Sequence, residues 1–310
     1  MGTFHPVLWL GFSALVAVLL AVDLGVLNRR AHVLSFGEAV RWSAGVVALA
    51  LVFGVGVFWQ EGSRAALEYY TGYLVELSLS VDNLFVFILI FSYFCVPAEA
   101  QPKVLKWGIL GAILLRFIMI ALGSLLLQQF EWIIWVFGGI LIVTGIRVWT
   151  QKDEKIEPEK NPVVRLARRV LPFSTSYDRS RFFTTGAGGH RLATPLFLVL
   201  LVVEWSDLVF AIDSIPAVFA VTRDPFLVFS SNVFAILGLR ALFFVVAGAM
   251  DRFAYLKPGV ALILVFVGFK MALSHWVHIP IGISLVVIIG TLVGSVALSV
   301  WRSKTLDSAS

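Results

Sequence analysis

Charge is scarce in this 310-residue chain. Asp, Glu, Lys and Arg make up 14% of it, against 59% hydrophobic residues and a mean hydropathy of +0.94. A soluble domain of this length needs more polar surface, so the composition points to a polytopic membrane protein. Cysteine is nearly absent. Cys95 stands alone, which rules out an internal disulfide framework and a cysteine-cluster metal site; it reads as a small apolar residue near a helix end. No basic n-region precedes the first apolar run, "HPVLWLGFSALVAVLLAVDLGVLNRR", so that run reads as a first transmembrane helix rather than a cleaved signal peptide. The chain also lacks a nucleophile–base constellation, a phosphate-cradling glycine loop and a zinc helix motif, so no enzyme is expected. "GAGGH" at Gly186 has no expected strand before it and reads as a flexible linker.

What remains is long apolar runs. A span needs about 20 mostly apolar residues, and about nine segments qualify: 7–27, 41–59, 68–94, 105–127, 131–149, 194–220, 226–248, 257–274 and 279–300. With the N-terminus outside, 19 of the 24 Lys and Arg fall on the inner side, and only Arg64 and Arg223 fall outside. The positive-inside rule therefore predicts N-out, C-in. The net charge of +5 is spread over these inner loops and offers no nucleic-acid site. Trp59, Trp107 and Trp301 read as interface anchors, and His275 and His278 as interfacial. One long basic loop, 150–193, divides the chain; its "VVRLARRVL" reads either as an ordinary charged loop or as a short basic helix on the anionic inner leaflet.

The two halves resemble each other. "ELSLSVDNLFVF" from Glu76 aligns with "DLVFAIDSIPAV" from Asp207, pairing Glu76 with Asp207, Asp82 with Asp213 and Asn83 with Ser214. Arg116 in the fourth span then faces Arg240 in the seventh, and Arg147 in the fifth faces Lys270 in the eighth. Spans three to five (68–149) and six to eight (194–274) thus read as a three-helix repeat of inverted topology. That architecture recurs in transporters with a site near the midplane.

The acids in these helices are the expensive feature, since each intramembrane carboxylate costs about 2.5–3.5 kcal/mol on insertion scales. Glu76, Asp82, Asn83, Glu204, Asp207 and Asp213 are the candidate ligands. Asp23, Ser80, Arg116, Ser214, Asn232 and Arg240 are candidate pathway or supporting residues. An oxygen-only set without soft donors suits a hard divalent cation such as Mn²⁺, Mg²⁺ or Ca²⁺. Glu76 and Asp82 are six residues apart, about 9 Å along a straight helix, and cannot both ligate one ion from it. Either the ion sits between Asp82 and Asp213, with Glu76 and Asp207 lining the approaches, or the helices unwind locally; Pro216 frees the carbonyl of Ile212 for the second case. A bundle carboxylate can also be structural, and Arg116 and Arg240 are each expected to pair with one acid or cap carbonyls.

"GYLVELSLSVDNLFVF", "VEWSDLVFAIDSIPAVFAVTRDPF" and "SSNVFAILGLRALFF" resemble the TerC family of integral membrane proteins, most closely its Alx-type members, over nearly the whole chain. The resemblance implies a bacterial inner-membrane manganese exporter, with Mn²⁺ as cargo and no organic cofactor. Export against an inside-negative potential needs energy and the chain has no nucleotide site, so cation/proton antiport is expected. A membrane scaffold with a structural ion or salt-bridge cluster, or a passive cation channel, are the alternatives.

Overall fold

A computed structural model describes residues 6–22, 35–130, 132–150, 161–186, 189–247, 256–273 and 279–307. The elements, in chain order, are α1 (Pro6–Ala21), α2 (Phe36–Tyr93), α3 (Gln101–Gln129), α4 (Ile133–Thr150), α5 (Pro162–Val170), β1 (Phe183–Thr185), β2 (Arg191–Ala193), α6 (Pro195–Phe219), α7 (Pro225–Ala247), α8 (Leu256–Ala272) and α9 (Ile281–Asp307). Among the described residues, five helices are long and apolar enough to cross a membrane: Phe36–Ser80, Gln101–Gln129, Pro195–Phe219, Pro225–Ala247 and Gly282–Ser299. Leu8–Ala21, Ile133–Arg147 and Pro258–Lys270 are shorter apolar helices. Each of the nine expected spans falls on one of these helical segments, spans two and three both lying on α2.

At 58 residues, α2 is too long for one crossing. It starts at a capping box in which Ser35 and Glu38 satisfy each other's backbone N–H groups. It breaks at Gly62, whose φ of 86° lies in the left-handed region that glycine adopts without a Cβ penalty. Residues 36–61 and 63–93 then fold back on each other. The Tyr69 hydroxyl donates to the Ala50 carbonyl at 3.1 Å and the Tyr70 hydroxyl to Leu51 at 2.8 Å, while the Tyr70 ring occupies the space a Cβ on Gly54 would need. The expected loop between spans two and three is therefore helix on both sides of one glycine.

The bundle is built around α7. Of the long apolar helices α7 is by far the most buried, which puts it at the centre. α2 packs along α7, α3 against α6 and α7, and α4 along α8. The α4–α8 contact is backbone to backbone. A Cβ on Gly145 would lie 3.0 Å from the Ala261 carbonyl oxygen, and one on Gly268 would lie 3.0 Å from that of Gly138. Backbone cannot yield as a side chain does, so Gly268→Ala should force the two helices apart. The expected loss is about 1–3 kcal/mol, read as a lower thermal midpoint in detergent, whereas Gly139→Ala, which meets nothing within 4 Å, should leave it unchanged.

The basic loop is structured where described. Asn161 caps α5 by accepting from Val163 N–H. α5 rests Val164 and Ala167 on α6 and exposes Leu166 and Val170 beside its arginines. The linker reading of "GAGGH" is corrected: Gly186 follows strand β1, and its N–H donates to the His190 carbonyl at 2.9 Å, closing an antiparallel β1–β2 hairpin. A single hairpin of three-residue strands, with its turn glycines inside a charged loop, leaves little alternating apolar pattern to detect. The segment then docks on the α2–α3 turn: the Tyr177 hydroxyl donates to the Phe94 carbonyl at 2.7 Å, and the Lys103 ammonium sits 4.5 Å over the Phe182 ring.

Burial, with Cys95 close by, pushes the Tyr177 phenol up to about 12. Because the folded value is raised above the ordinary 10.0, the proton that makes this bond is secure below pH 10 and is lost as pH climbs towards about 12. Tyr177→Phe should cost about 1 kcal/mol at neutral pH. Thermal midpoints measured across the alkaline range should show this difference constant to pH 10 and shrinking above it.

Candidate ion site

Four helices deliver polar side chains to one buried point. On α3 the buried face runs Ala112, Arg116, Ile120, Ser124, a four-residue repeat that points Arg116 inward. On α2 it runs Tyr69, Tyr73, Glu76, Ser80, and on α6 Asp207, Ala211, Ser214, Val218. α7 is buried at Ser230, Ser231 and Asn232 alike.

Arg116 is at the centre. Its Nη1 donates to Glu76 Oε1, to Asn232 Oδ1 at 2.7 Å and to Ser214 Oγ at 3.3 Å; its Nη2 donates to Asp207 Oδ1 at 3.3 Å. Asn232 Nδ2 donates to Glu76 Oε2 at 2.9 Å, tying α7 to α2 directly. None of these five residues is more than 2% exposed. The cluster sets two carboxylates against one guanidinium, in a bundle that offers water no access to them.

The network is not closed. Among the described residues, Asp207 Oδ2 and Arg116 Nε have no hydrogen-bond partner, nor do Ser80 Oγ and Asn83 Nδ2. Orphaned buried polar atoms are few in native proteins and each calls for a cause. Chemically, the groups facing the guanidinium are all oxygens, two of them charged: carboxylates, an amide carbonyl and a hydroxyl. These are the donors that hard cations take.

The expected site residues are distributed as follows. Glu76, Asp207, Ser214, Asn232 and Arg116 come together. Each arginine is expected to pair with one acid or cap carbonyls; Arg116 instead holds two acids, Glu76 and Asp207. Asp213 is half-buried and accepts from the Thr144 hydroxyl of α4 at 2.8 Å. Glu204, half-buried, lays its carboxylate over Gly111 of α3, where a Cβ would collide with it. Asp82 and Asn83 lie on α2; Asn83 is 3% exposed, and the Asp82 side chain is outside the described residues. Arg240, on α7, is 4% exposed. Asp23, His275 and His278 also lie outside the described residues. α6 stays helical through Pro216, and the one interruption of α2 is at Gly62, so neither acidic helix is unwound beside its acids. Among the described residues no group of three or more His, Cys, Asp and Glu side chains could hold a metal ion, so an ion at this cluster would draw on the amide and hydroxyl oxygens as well.

Two polar ties lay beyond the sequence reading. Thr144 gave no signal, since a lone threonine in an apolar helix usually bonds its own preceding turn. The other lies near the α2 break, where the Thr222 hydroxyl donates to Glu68 Oε2 at 2.6 Å while Arg64 Nε donates to Glu68 Oε1 at 3.1 Å. This links the start of the acidic arm of α2 to the α6–α7 turn.

The profile of the integral membrane protein TerC family matches residues 61–307. An uncharacterized membrane protein of Myxococcus xanthus is 53% identical over 299 residues, covering 96% of this chain and 93% of the relative. A protein of Escherichia coli K12 named "Putative membrane-bound redox modulator Alx" is 47% identical over 311 residues, covering 97% of each. An uncharacterized membrane protein of Rickettsia felis is 39% identical over 299 residues, covering 96% of this chain and 99% of the relative. No solved structure matches the chain.

Proposed function

This chain belongs to the integral membrane protein TerC family, and we propose that it is a carrier that exports a hard divalent cation, Mn²⁺ foremost, across the bacterial inner membrane. The observation that carries the proposal is the buried oxygen cluster. Glu76, Asp207, Asn232 and Ser214 converge from three helices at 2% exposure or less, with one Asp207 oxygen unpartnered among the described residues. Such a set is costly in a membrane interior and is found there chiefly along ion pathways.

An inverted repeat is the frame of the proposal, with residues 68–149 and 194–274 as its halves and N-out, C-in as its orientation. The packing supports it. Gly145 and Gly268 are repeat mates, as are Gly138 and Ala261, and the contact of Gly145 with the Ala261 carbonyl is mirrored by that of Gly268 with the Gly138 carbonyl. α2 on α7 is likewise mirrored by α6 on α3. In inverted-repeat transporters the site lies between the halves, and rocking one half against the other alternates its access. Glu76 comes from one half and Asp207 from the other, so relative motion of the halves would open the pair.

The cation would meet Glu76, Asp207, Asn232 and Ser214, with Asp82, Asn83, Asp213 and Glu204 along its route. Proton antiport is the energy source that fits. Reconstituted protein should move Mn²⁺ outward faster when an inward proton gradient is imposed; flux indifferent to that gradient would exclude the coupling while leaving the carrier.

A second reading has a specific observation behind it. The pairing of Arg116 with both acids is also what a scaffold held by a salt-bridge cluster would show. The relative's name, redox modulator, does not translate into thiol chemistry within one copy of this chain, because a single cysteine forms no internal dithiol–disulfide couple. Cells carrying Asp213→Asn distinguish the readings: a carrier becomes manganese-sensitive at unchanged membrane abundance, whereas a scaffold does not.

A further inference from the structure

We propose that Arg116 is the carrier's built-in counter-cation: its guanidinium occupies the cation site when no metal is bound, and an incoming divalent ion must displace it. The inference rests on the reading of the Glu76–Asp207 cluster as the cation site.

The geometry supplies the argument. One guanidinium lies within hydrogen-bond distance of Glu76 Oε1, Asp207 Oδ1, Asn232 Oδ1 and Ser214 Oγ together. These are the oxygens a hard cation would take, so the two ligands compete for the same atoms. They cannot share the space, and both are cationic, so simultaneous occupancy would set like charges side by side at low dielectric.

Charge compensation explains why an arginine belongs there. A carrier must reorient both with the metal and without it, in antiport with protons taking the metal's place. With the ion gone, two carboxylates at 0% and 2% exposure would face each other uncompensated, which is costly unless protons or a cation replace the metal. A tethered guanidinium meets that need within the protein. A single positive charge also neutralises the two acids only in part, so a divalent ion can still compete for them.

The incompleteness of the network points the same way. Arg116 Nε and Asp207 Oδ2 are buried without hydrogen-bond partners among the described residues. A purely structural buried pair holds well only when its remaining protons and lone pairs are satisfied. A pair that leaves an acceptor and a donor orphaned is easier to open, and the orphaned Asp207 oxygen is a ready first contact for an arriving cation.

The test is Mn²⁺ binding to purified full-length protein in detergent by calorimetry, together with flux from liposomes. Arg116→Gln should bind Mn²⁺ at least about tenfold tighter than wild type (~1.4 kcal/mol), because the competitor is gone. Arg116→Lys keeps one charge but cannot reach all four acceptors, so it should tighten binding by a smaller factor while preserving the fold. In liposomes, Arg116→Gln should retain Mn²⁺–Mn²⁺ exchange but slow net efflux, since only net efflux requires the metal-free carrier to reorient. A structural role predicts the opposite sign. If either variant, folded by its elution profile, binds Mn²⁺ no tighter than wild type, Arg116 does not compete and the inference falls with the carrier reading intact. If wild-type protein binds no Mn²⁺ at all, the carrier reading itself falls, and this inference with it.

Discussion

Glu76→Gln is expected to lower stability by about 3 kcal/mol, the scale on which breaking a buried ion pair by removing one partner destabilises. The reason is Arg116. With Glu76 neutral, a fully buried guanidinium keeps one carboxylate, Asp207, at 3.3 Å, and Asn232 loses the charged acceptor of its Nδ2 donor. The penalty lies in the stranded charge rather than in the loss of a favourable pair, so it should be relieved by removing the charge as well. Glu76→Gln combined with Arg116→Met should be less destabilised than Glu76→Gln alone. Thermal midpoints in detergent for the two single variants and the double variant form the cycle. Strictly additive losses would mean that the two side chains do not couple, against the contact seen between them.

The second large effect is on transport. Asp207→Asn retains a hydrogen-bonding group of the same size and removes one of the two carboxylate charges that face Arg116, where the cation is proposed to bind. Truncating one partner of a buried charge interaction costs about 2–5 kcal/mol, so Mn²⁺ flux should fall by about a hundredfold. Ser214→Ala removes a neutral oxygen from the same guanidinium, 3.3 Å away, and should cost far less. The contrast between the two variants tests whether charge at this point, rather than packing, supports transport. Glu204 provides a further contrast, because its carboxylate lies over Gly111 and is not among the hydrogen-bond acceptors of Arg116; its neutral variant should affect flux less than Asp207→Asn does.

Much of this arrangement is legible in the chain because membranes make polar residues conspicuous. Five of the described helices announce themselves by length and apolarity. Each acid stands out against that background, and the co-linear Glu76–Arg116 and Asp207–Arg240 markers are what suggest the proposed repeat. What the pattern cannot convey is which polar groups meet. Arg116 and Arg240 align in the proposed repeat and look alike in sequence, yet it is Arg116 that gathers both Glu76 and Asp207. Gly62 looks like any loop glycine, and only its positive φ shows that the reversal of α2 is confined to one residue. The β1–β2 hairpin in the basic loop is too short to show an alternating pattern. Thr144 is silent for the opposite reason: a hydroxyl in an apolar helix is ordinary until a neighbouring helix brings Asp213 to it.

The carrier reading is tested most directly by reconstituting the protein in liposomes that enclose a Mn²⁺-quenched dye. Wild type, Asp82→Asn and Asp207→Asn would be compared at matched protein density. Wild type should quench the dye at a rate well above empty liposomes, and both variants should fall towards the empty-liposome rate while eluting as folded protein. Equal quenching by all three, or no quenching by wild type, would contradict a carboxylate-based divalent cation carrier.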